Sequence, residues 1–225
     1  MTYIYLVRHC EALGNQQQIF QGSHDEPITE TGARQLECLS RRFADVALDA
    51  VYSGPLLRAR KTADAILGSR AIPLSIEPRV TEICGGDWEH RSWAELPQLS
   101  PEQCYNWVNA PWRFEAPQGE KMTEVYARMA AALCDLAAAH DGQTIAIASH
   151  GCAIRNALCF AHGKPIECLQ EIGWSDHTAV SLLLWEAGEW HVLSESDSSH
   201  LPNGSSKAEK TSWWRAGAAQ KGKQE

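Results

Sequence analysis

The residues that could do chemistry begin with the pair Arg8-His9, which follows an apolar, β-prone run over residues 3–7. A strand that stops at this pair places an imidazole and a guanidinium at its carboxyl end, where ligands bind in α/β sheets. Imidazole can attack phosphorus, and the planar fork of arginine binds phosphate oxygens through two hydrogen bonds. The pair therefore indicates phosphoryl chemistry through a phosphohistidine, provided that other parts of the chain complete the site.

Three further segments each offer one part of a phosphate site. Ser53-Gly54-Pro55 ends a predicted strand, and the next helix has Arg58 in its first turn. Glu82 lies in a separate stretch that is followed by Gly85, Gly86 and Trp88. Ser149-His150-Gly151 joins a predicted strand to a helix N-terminus, whose backbone N–H groups attract anions. Each segment alone is a weak signal, because a lone histidine or arginine is more often structural.

Strand and helix patterns alternate along the chain, which predicts an α/β architecture built in layers. The predicted strands cover residues 4–7, 49–52, 73–76, 144–148, 178–185 and 189–194, the last two as an antiparallel hairpin. The predicted helices cover about 30–43, 57–66, 120–140 and 152–161, with Thr29 as a cap of the first. Residues 85–118 are irregular and rich in Trp and Pro, which indicates an inserted lid with short helices.

The composition is that of one globular domain, with 44% hydrophobic and 21% charged residues among 225. A formal net charge of −8 argues against a nucleic-acid partner or an anionic membrane surface. The chain shows no segment of membrane-spanning length, no signal-peptide pattern, and no zinc-like spacing among its eight cysteines. We therefore expect a cytoplasmic protein with reduced thiols. Its single domain is expected over residues 1–202, before a polar tail at 203–225 that Trp213 and Trp214 could pin to the body.

Together these segments resemble the histidine phosphatase superfamily, in the branch shared by cofactor-dependent phosphoglycerate mutases and small phosphatases. The resemblance runs from the first strand to about residue 200, in the order and spacing of the family. The matching text is Leu6-Val7-Arg8-His9-x-Glu11-x-x-x-Asn15, Gln21-Gly22-x-x-Asp25-x-Pro27, Ser53-x-x-Leu56-x-Arg58-Ala59-x-x-Thr62, Glu82-x-x-x-Gly86-x-Trp88-Glu89, Gly119-Glu120 and Ser149-His150-Gly151. It implies a three-layer α/β/α sandwich with a mostly parallel central sheet, the phosphoglycerate mutase-like fold, and a small lid insertion.

The residue types and the resemblance imply the same set of roles. His9 would attack phosphorus, and Glu82 would protonate the leaving alkoxide and then activate water. Arg8, Arg58 and His150 would form cationic walls around the three equatorial oxygens. The expected phosphate-binding residues are Arg8, Asn15, Gln21, Gly22, Arg58, His150 and Gly151. No metal and no other cofactor are expected.

Several residues near these motifs have a structural interpretation as well as a functional one. Cys10 stands where the family usually has Gly or Ala, and it is either a small filler or an oxidation-sensitive thiol. Glu11 is expected to be structural, and Asp176-His177 is given only a minor chance of approaching the site. The histidines expected to be structural or superficial are His24, His90, His140, His162, His177, His191 and His200. His90 also replaces a frequent glycine of the family.

The lid decides between the branches of the family. The mutases have an arginine-rich and proline-rich insertion that clamps a bisphosphorylated intermediate, whereas residues 103–117 here offer Arg113 and several aromatic residues. This composition favours a phosphatase that binds a small phosphorylated metabolite. The alternatives are a cofactor-dependent phosphoglycerate mutase and a non-catalytic, phosphate-binding regulatory relative. A homodimer through the Trp-rich segments stays open.

Overall fold

The computed structural model describes residues 1–202, so the expected tail with Trp213 and Trp214 lies outside the described residues. The strands are β1 Thr2–Arg8, β2 Ala50–Ser53, β3 Leu74–Ile76, β4 Thr144–Ser149, β5 Val180–Glu186 and β6 Glu189–Asp197. The helices are α1 Leu13–Gln16, α2 Glu30–Phe43, α3 Leu57–Leu67, α4 Leu96–Leu99, α5 Pro101–Asn109, α6 Met122–Ala139 and α7 Gly151–Ala161. Short 3₁₀ turns lie at Pro78–Val80, Gly86–Trp88, Pro111–Arg113 and Ile166–Glu171.

The six strands form one sheet in the order β3-β2-β4-β1-β5-β6. The first four in this order run parallel, and β5 and β6 add an antiparallel edge next to β1. Helices cover both faces, so the predicted three-layer α/β/α sandwich with a mostly parallel sheet is confirmed. The hairpin is longer than predicted, because β6 continues to Asp197 opposite Val180 across an irregular register.

The side chains of successive strand residues point to opposite faces of the sheet and pack into two separate hydrophobic cores, one on each face. On one face Ile145 and Ile147 pack with α6 and α7, while on the other Ala146 and Ala148 pack with α2 and α3. The stripe predicted on α6 is fully buried, at Val125, Met129, Leu133 and Leu136. Two buried cores of this kind hold β4 and β1 rigidly at the centre of the molecule.

Local signals explain where the helices begin. The hydroxyl oxygen of Thr29 accepts a hydrogen bond from the backbone N–H of Gly32 at 3.0 Å, so the predicted cap of α2 is confirmed. The α3 helix has no cap from its own N-cap residue, and the Asp25 carboxylate accepts from the N–H of Leu57 at 2.6 Å instead. This bond ties the loop after α1 to the start of α3.

Residues 85–118 form the predicted insertion, with α4, α5 and two short turns. Its rings pack edge to face, with 4.9 Å between the centroids of Trp88 and Phe114 and 4.8 Å between those of Trp107 and Phe114. These aromatic residues join the core under α6. Among the described helices, none has both the length and the apolar character that crossing a membrane requires.

Candidate active site

The sheet register brings the two motif histidines together. Parallel pairing sets Arg8 at the end of β1 opposite Ser149 at the end of β4. His9 and His150 directly follow these residues, and their ring centroids lie 5.1 Å apart. Both rings are buried. The carboxyl edge of the sheet therefore places them as neighbours although they are distant in the chain.

The His9 ring is held in one tautomer. Its Nδ1 lies 2.6 Å from the backbone carbonyl oxygen of Cys10. Because a carbonyl oxygen only accepts, Nδ1 has the proton and the lone pair is on Nε2. Burial holds the pKa of His9 well below its usual range, and the neighbouring Arg58, His150 and Arg8 lower it further. His9 is therefore neutral at physiological pH, with a free lone pair on Nε2.

Arg58 lies in the first turn of α3 and is 1% exposed. Its guanidinium donates to the backbone carbonyls of Gly22 at 2.7 Å and His24 at 2.6 Å. Gly22 has a φ of +52°, and a Cβ there would collide with the Glu89 carboxylate, so this position favours glycine. Arg58 and the Gln21-Gly22 loop therefore form one rigid wall of the site.

Five of the buried polar atoms that have no hydrogen-bond partner within residues 1–202 lie at this end of the sheet. They are Arg8 Nε, Gln21 Oε1, Arg58 Nε and both ring nitrogens of His150. Native proteins rarely leave such atoms unpaired, so their convergence indicates a candidate site for a polar ligand. Arg8, His9, Arg58, Gln21, Gly22 and Gly151 all contribute to one cavity here, with Asn15. The side-chain oxygen of Asn15 already accepts from the Ala12 N–H at 3.0 Å, which leaves its amide N–H₂ as the donor group.

His150 differs from the expectation of a cationic wall. Burial holds its pKa well below the usual range, and Arg58, Arg128 and Arg8 lower it further. The ring is therefore neutral in the free protein, and it can offer an N–H hydrogen bond rather than a positive charge. The cationic groups of this site are the guanidinium groups of Arg8 and Arg58.

Glu82 occupies the N-terminus of α7. Its carboxylate accepts backbone N–H groups from Cys152 and Ala153, both at 3.2 Å, and from Ile83 at 3.1 Å. We expected the first turn of α7 to face a bound phosphate, whereas these two N–H groups hold a carboxylate of the protein itself. The backbone N–H groups at the helix N-terminus therefore fix the direction of the Glu82 side chain.

A second set of residues, missed in the sequence, supports the loop of Glu82. Arg128 on α6 donates to the carbonyls of Arg79 at 2.6 Å and Thr81 at 2.8 Å. The same guanidinium pairs with Glu120 at 2.7 Å, and Glu120 accepts from the N–H of Cys84 at 3.3 Å. Arg128 gave no signal in the sequence, because a charged residue on the polar side of a helix is usually solvated.

The loop before β5 also reaches the site. The centroids of His9 and His177 lie 5.6 Å apart, and Asp176 and His177 line the cavity. His177 is therefore buried beside the site and not superficial, in line with the alternative that Asp176-His177 approaches it. The sheet explains this placement, because β5 pairs antiparallel with β1 and begins where β1 ends, with Thr178 N–H donating to the Arg8 carbonyl at 3.0 Å.

Cys10 is fully buried next to the nucleophile candidate. Burial raises the pKa of its thiol to about 11, although the hydroxyl of Thr62 lies close enough to oppose the shift. A protonated, enclosed thiol is a poor target for oxidants. The structure therefore favours the small-filler interpretation over the oxidation-sensitive one.

The chain matches the family model of the histidine phosphatase superfamily (branch 1) over residues 4–198. It is 29% identical over 201 residues to phosphoserine phosphatase 1 of Hydrogenobacter thermophilus, covering 89% of this chain and 95% of that protein. It is 30% identical over 209 residues to the probable phosphoglycerate mutase GpmB of Yersinia pestis, again covering 89% and 95%. Among solved structures, Bacillus stearothermophilus YhfR has 31% identity and a TM-score of 0.85, covering 89% of this chain and 99% of that one. These relatives include a phosphatase and a probable mutase.

Proposed function

Because this chain belongs to branch 1 of the histidine phosphatase superfamily, we propose that it is a phosphomonoesterase that hydrolyses a small organic phosphate through a phosphohistidine on His9. The observation that supports this most directly is the state of the His9 ring. It is buried and neutral, and its Nδ1–H is held by the Cys10 carbonyl 2.6 Å away. An imidazole prepared in this way has a fixed lone pair on Nε2, which is what attack on phosphorus requires.

In the proposed reaction, Nε2 of His9 forms a bond to phosphorus while the bond from phosphorus to the ester oxygen breaks. Arg8 and Arg58 stabilise the charge on the phosphoryl oxygens, and neutral His150 and Asn15 donate N–H groups to them. Glu82 in its protonated form gives its proton to the leaving alkoxide. It then removes a proton from water, which attacks phosphorus, releases inorganic phosphate and restores His9. The scheme uses no metal ion.

A phosphoglycerate mutase is the second candidate, because the chain resembles GpmB of Yersinia pestis as closely as it resembles the phosphatase. A mutase must hold a second acidic group of its intermediate. The insertion contains two arginines, Arg91 and Arg113, and neither lines the cavity. The Arg113 guanidinium lies over the Trp112 ring at 5.9 Å. The composition of the insertion therefore supports the phosphatase.

The proposal is tested by trapping the intermediate. The protein is mixed with ³²P-labelled 4-nitrophenyl phosphate and quenched in alkali, where phosphohistidine survives, and a second sample is exposed to acid, where it does not. We expect label on wild type that is stable in alkali and labile in acid, and none on His9→Asn. His191→Asn is the matched control, because His191 is exposed on β6.

The same preparation separates the alternatives. Incubation with 3-phosphoglycerate and a trace of 2,3-bisphosphoglycerate shows whether isomerisation outpaces phosphate release, which would make the protein a mutase. A His9→Asn variant with wild-type turnover would refute the phosphohistidine mechanism. Wild type that binds phosphate but releases none from any monoester would be a regulatory relative.

A further inference from the structure

Aromatic rings line the part of the cavity that lies beyond the phosphate end. They are Phe20, Trp93, Trp107 and Trp174, joined by the side chains of Ile19 and Ile83. Trp107 stands between the other two indoles, with centroids 5.5 Å from Trp93 and 5.7 Å from Trp174. Trp107 is 6% exposed, whereas Trp93 and Trp174 are only half-buried. The two outer indoles therefore keep accessible apolar surface.

The position of these rings is fixed by the fold. Phe20 packs against Trp93 and Trp107 with centroids 5.2 Å and 5.5 Å away. The guanidinium of Arg155 lies 4.9 Å from the Trp174 centroid and donates to the carbonyls of Ile172 at 2.7 Å and Leu169 at 2.8 Å. Trp174 thus already has a cationic partner, and Arg155 is committed to backbone carbonyls outside the cavity.

The charges of the cavity are distributed unevenly. Arg8 and Arg58 are the cationic side chains that line it within residues 1–202, and both belong to the phosphate end. Three acidic side chains, Glu11, Glu82 and Asp176, line the same cavity. A carboxylate on the alcohol part of a substrate would therefore lie among aromatic rings, without a third cation to pair with. Burying such an unpaired charge costs free energy.

We infer that the alcohol part of the substrate is uncharged and has a planar ring, so that the substrate class is an aryl or arylalkyl monophosphate. A phosphorylated amino acid or a phosphoglycerate fits this cavity poorly. The inference rests on the proposed function. The phosphate would lie at Arg8 and Arg58, and the ring of the alcohol would pack against the exposed faces of Trp93 and Trp174.

The test compares esters of four primary alcohols. The hydroxyl groups of serine and choline are the more acidic ones, so leaving-group reactivity does not favour 2-phenylethyl phosphate over their esters. Phosphate release is measured for 2-phenylethyl phosphate, ethyl phosphate, phosphoserine and phosphocholine. We expect kcat/KM for 2-phenylethyl phosphate to exceed that of each of the others by roughly tenfold or more, from burial of one ring. Equal or higher values for phosphoserine overturn the inference, and so does a preference for phosphocholine, which would mean a cationic alcohol part.

Variants of Trp93 and Trp174 test whether these two indoles cause the preference for 2-phenylethyl phosphate. In Trp93→Leu and Trp174→Leu, the ratio of kcat/KM for 2-phenylethyl phosphate to that for ethyl phosphate is expected to fall roughly tenfold. Trp112→Leu is the control, because Trp112 lies in the same insertion as Trp93 but does not line the cavity. An unchanged ratio in both cavity variants overturns the inference while phosphatase activity stands. Absence of phosphate release from all four esters would refute the proposed function instead.

Discussion

The Oε2 atom of Glu82 accepts a hydrogen bond from the backbone N–H of Cys152 at 3.2 Å. The partner of the other oxygen is the next N–H of the same helix turn, that of Ala153. The main chain of α7 therefore fixes the orientation of the Glu82 carboxylate, and no flexible side chain of another residue is needed to hold it. Since His150 is the residue before this helix, the candidate acid and the phosphate end of the site are tied to one element.

Replacing Glu82 by glutamine tests its role as the acid, because the amide keeps the size but cannot transfer the proton. For ethyl phosphate we expect kcat/KM, which reports the phosphorylation of His9, to fall by about 10²–10⁴-fold. For 4-nitrophenyl phosphate the loss in kcat/KM is expected to be much smaller, since the nitrophenolate leaves without a proton. The measurement is steady-state kinetics with both esters. Equal losses would assign Glu82 a structural role, and Glu37→Gln on the exposed side of α2 is the control.

Arg58→Lys tests whether the guanidinium fork is required. The native side chain donates to the carbonyls of Gly22 and His24, and an ammonium group lacks the planar geometry to do this while facing a phosphate. We expect kcat/KM to fall by about 10²-fold or more, in line with the loss of an oriented transition-state donor. Arg60→Lys is the matched control, two positions along the same helix and exposed. Wild-type kinetics in Arg58→Lys would contradict the assignment.

The depressed pKa values of His9 and His150 predict how stability depends on pH. Below the ordinary histidine pKa the unfolded chain binds protons that the folded protein does not, so the free energy of unfolding decreases as pH falls. Between about pH 7.5 and about pH 5.5 each histidine should contribute a loss on the order of 1 kcal/mol. Urea unfolding at both pH values measures this loss. It should shrink in His9→Asn and stay unchanged in His191→Asn, and an equal pH dependence in all three proteins would speak against it.

The buried thiol of Cys10 predicts slow alkylation of the native protein. Its pKa is raised to about 11, whereas Cys84 is exposed. With iodoacetamide near neutral pH, mass spectrometry should show Cys84 modified first and Cys10 only after unfolding. Activity should therefore survive while Cys84 reacts. Loss of activity in step with modification of Cys10 would instead support an oxidation-sensitive thiol next to His9.

Features that depend on local pattern could be predicted from the sequence. The buried stripe of α6, the cap at Thr29 and the strand that ends at Arg8 each depend on near neighbours in the chain. The neutral state of His150 could not be predicted, because it follows from burial among side chains of other elements. The hydrogen bonds by which Arg128 holds the loop of Glu82 could not be predicted for a similar reason, since its partners are backbone carbonyls of that loop. The hydrophobic pattern of a helix or strand indicates which of its faces is buried, but it does not indicate which residues of other elements pack against that face.

The pairing of Arg8 with Ser149 has a consequence for biosynthesis. β1 is made first, yet its parallel neighbour β4 leaves the ribosome only after most of the described chain, and β5 on its other side comes later still. Until then the apolar strand β1 has no strand to pair with, and chaperones shield exposed apolar segments of this kind. Such distant pairings also slow folding. The appearance of activity therefore marks completed assembly of the sheet, and no amino-terminal fragment that ends before β4 can have it.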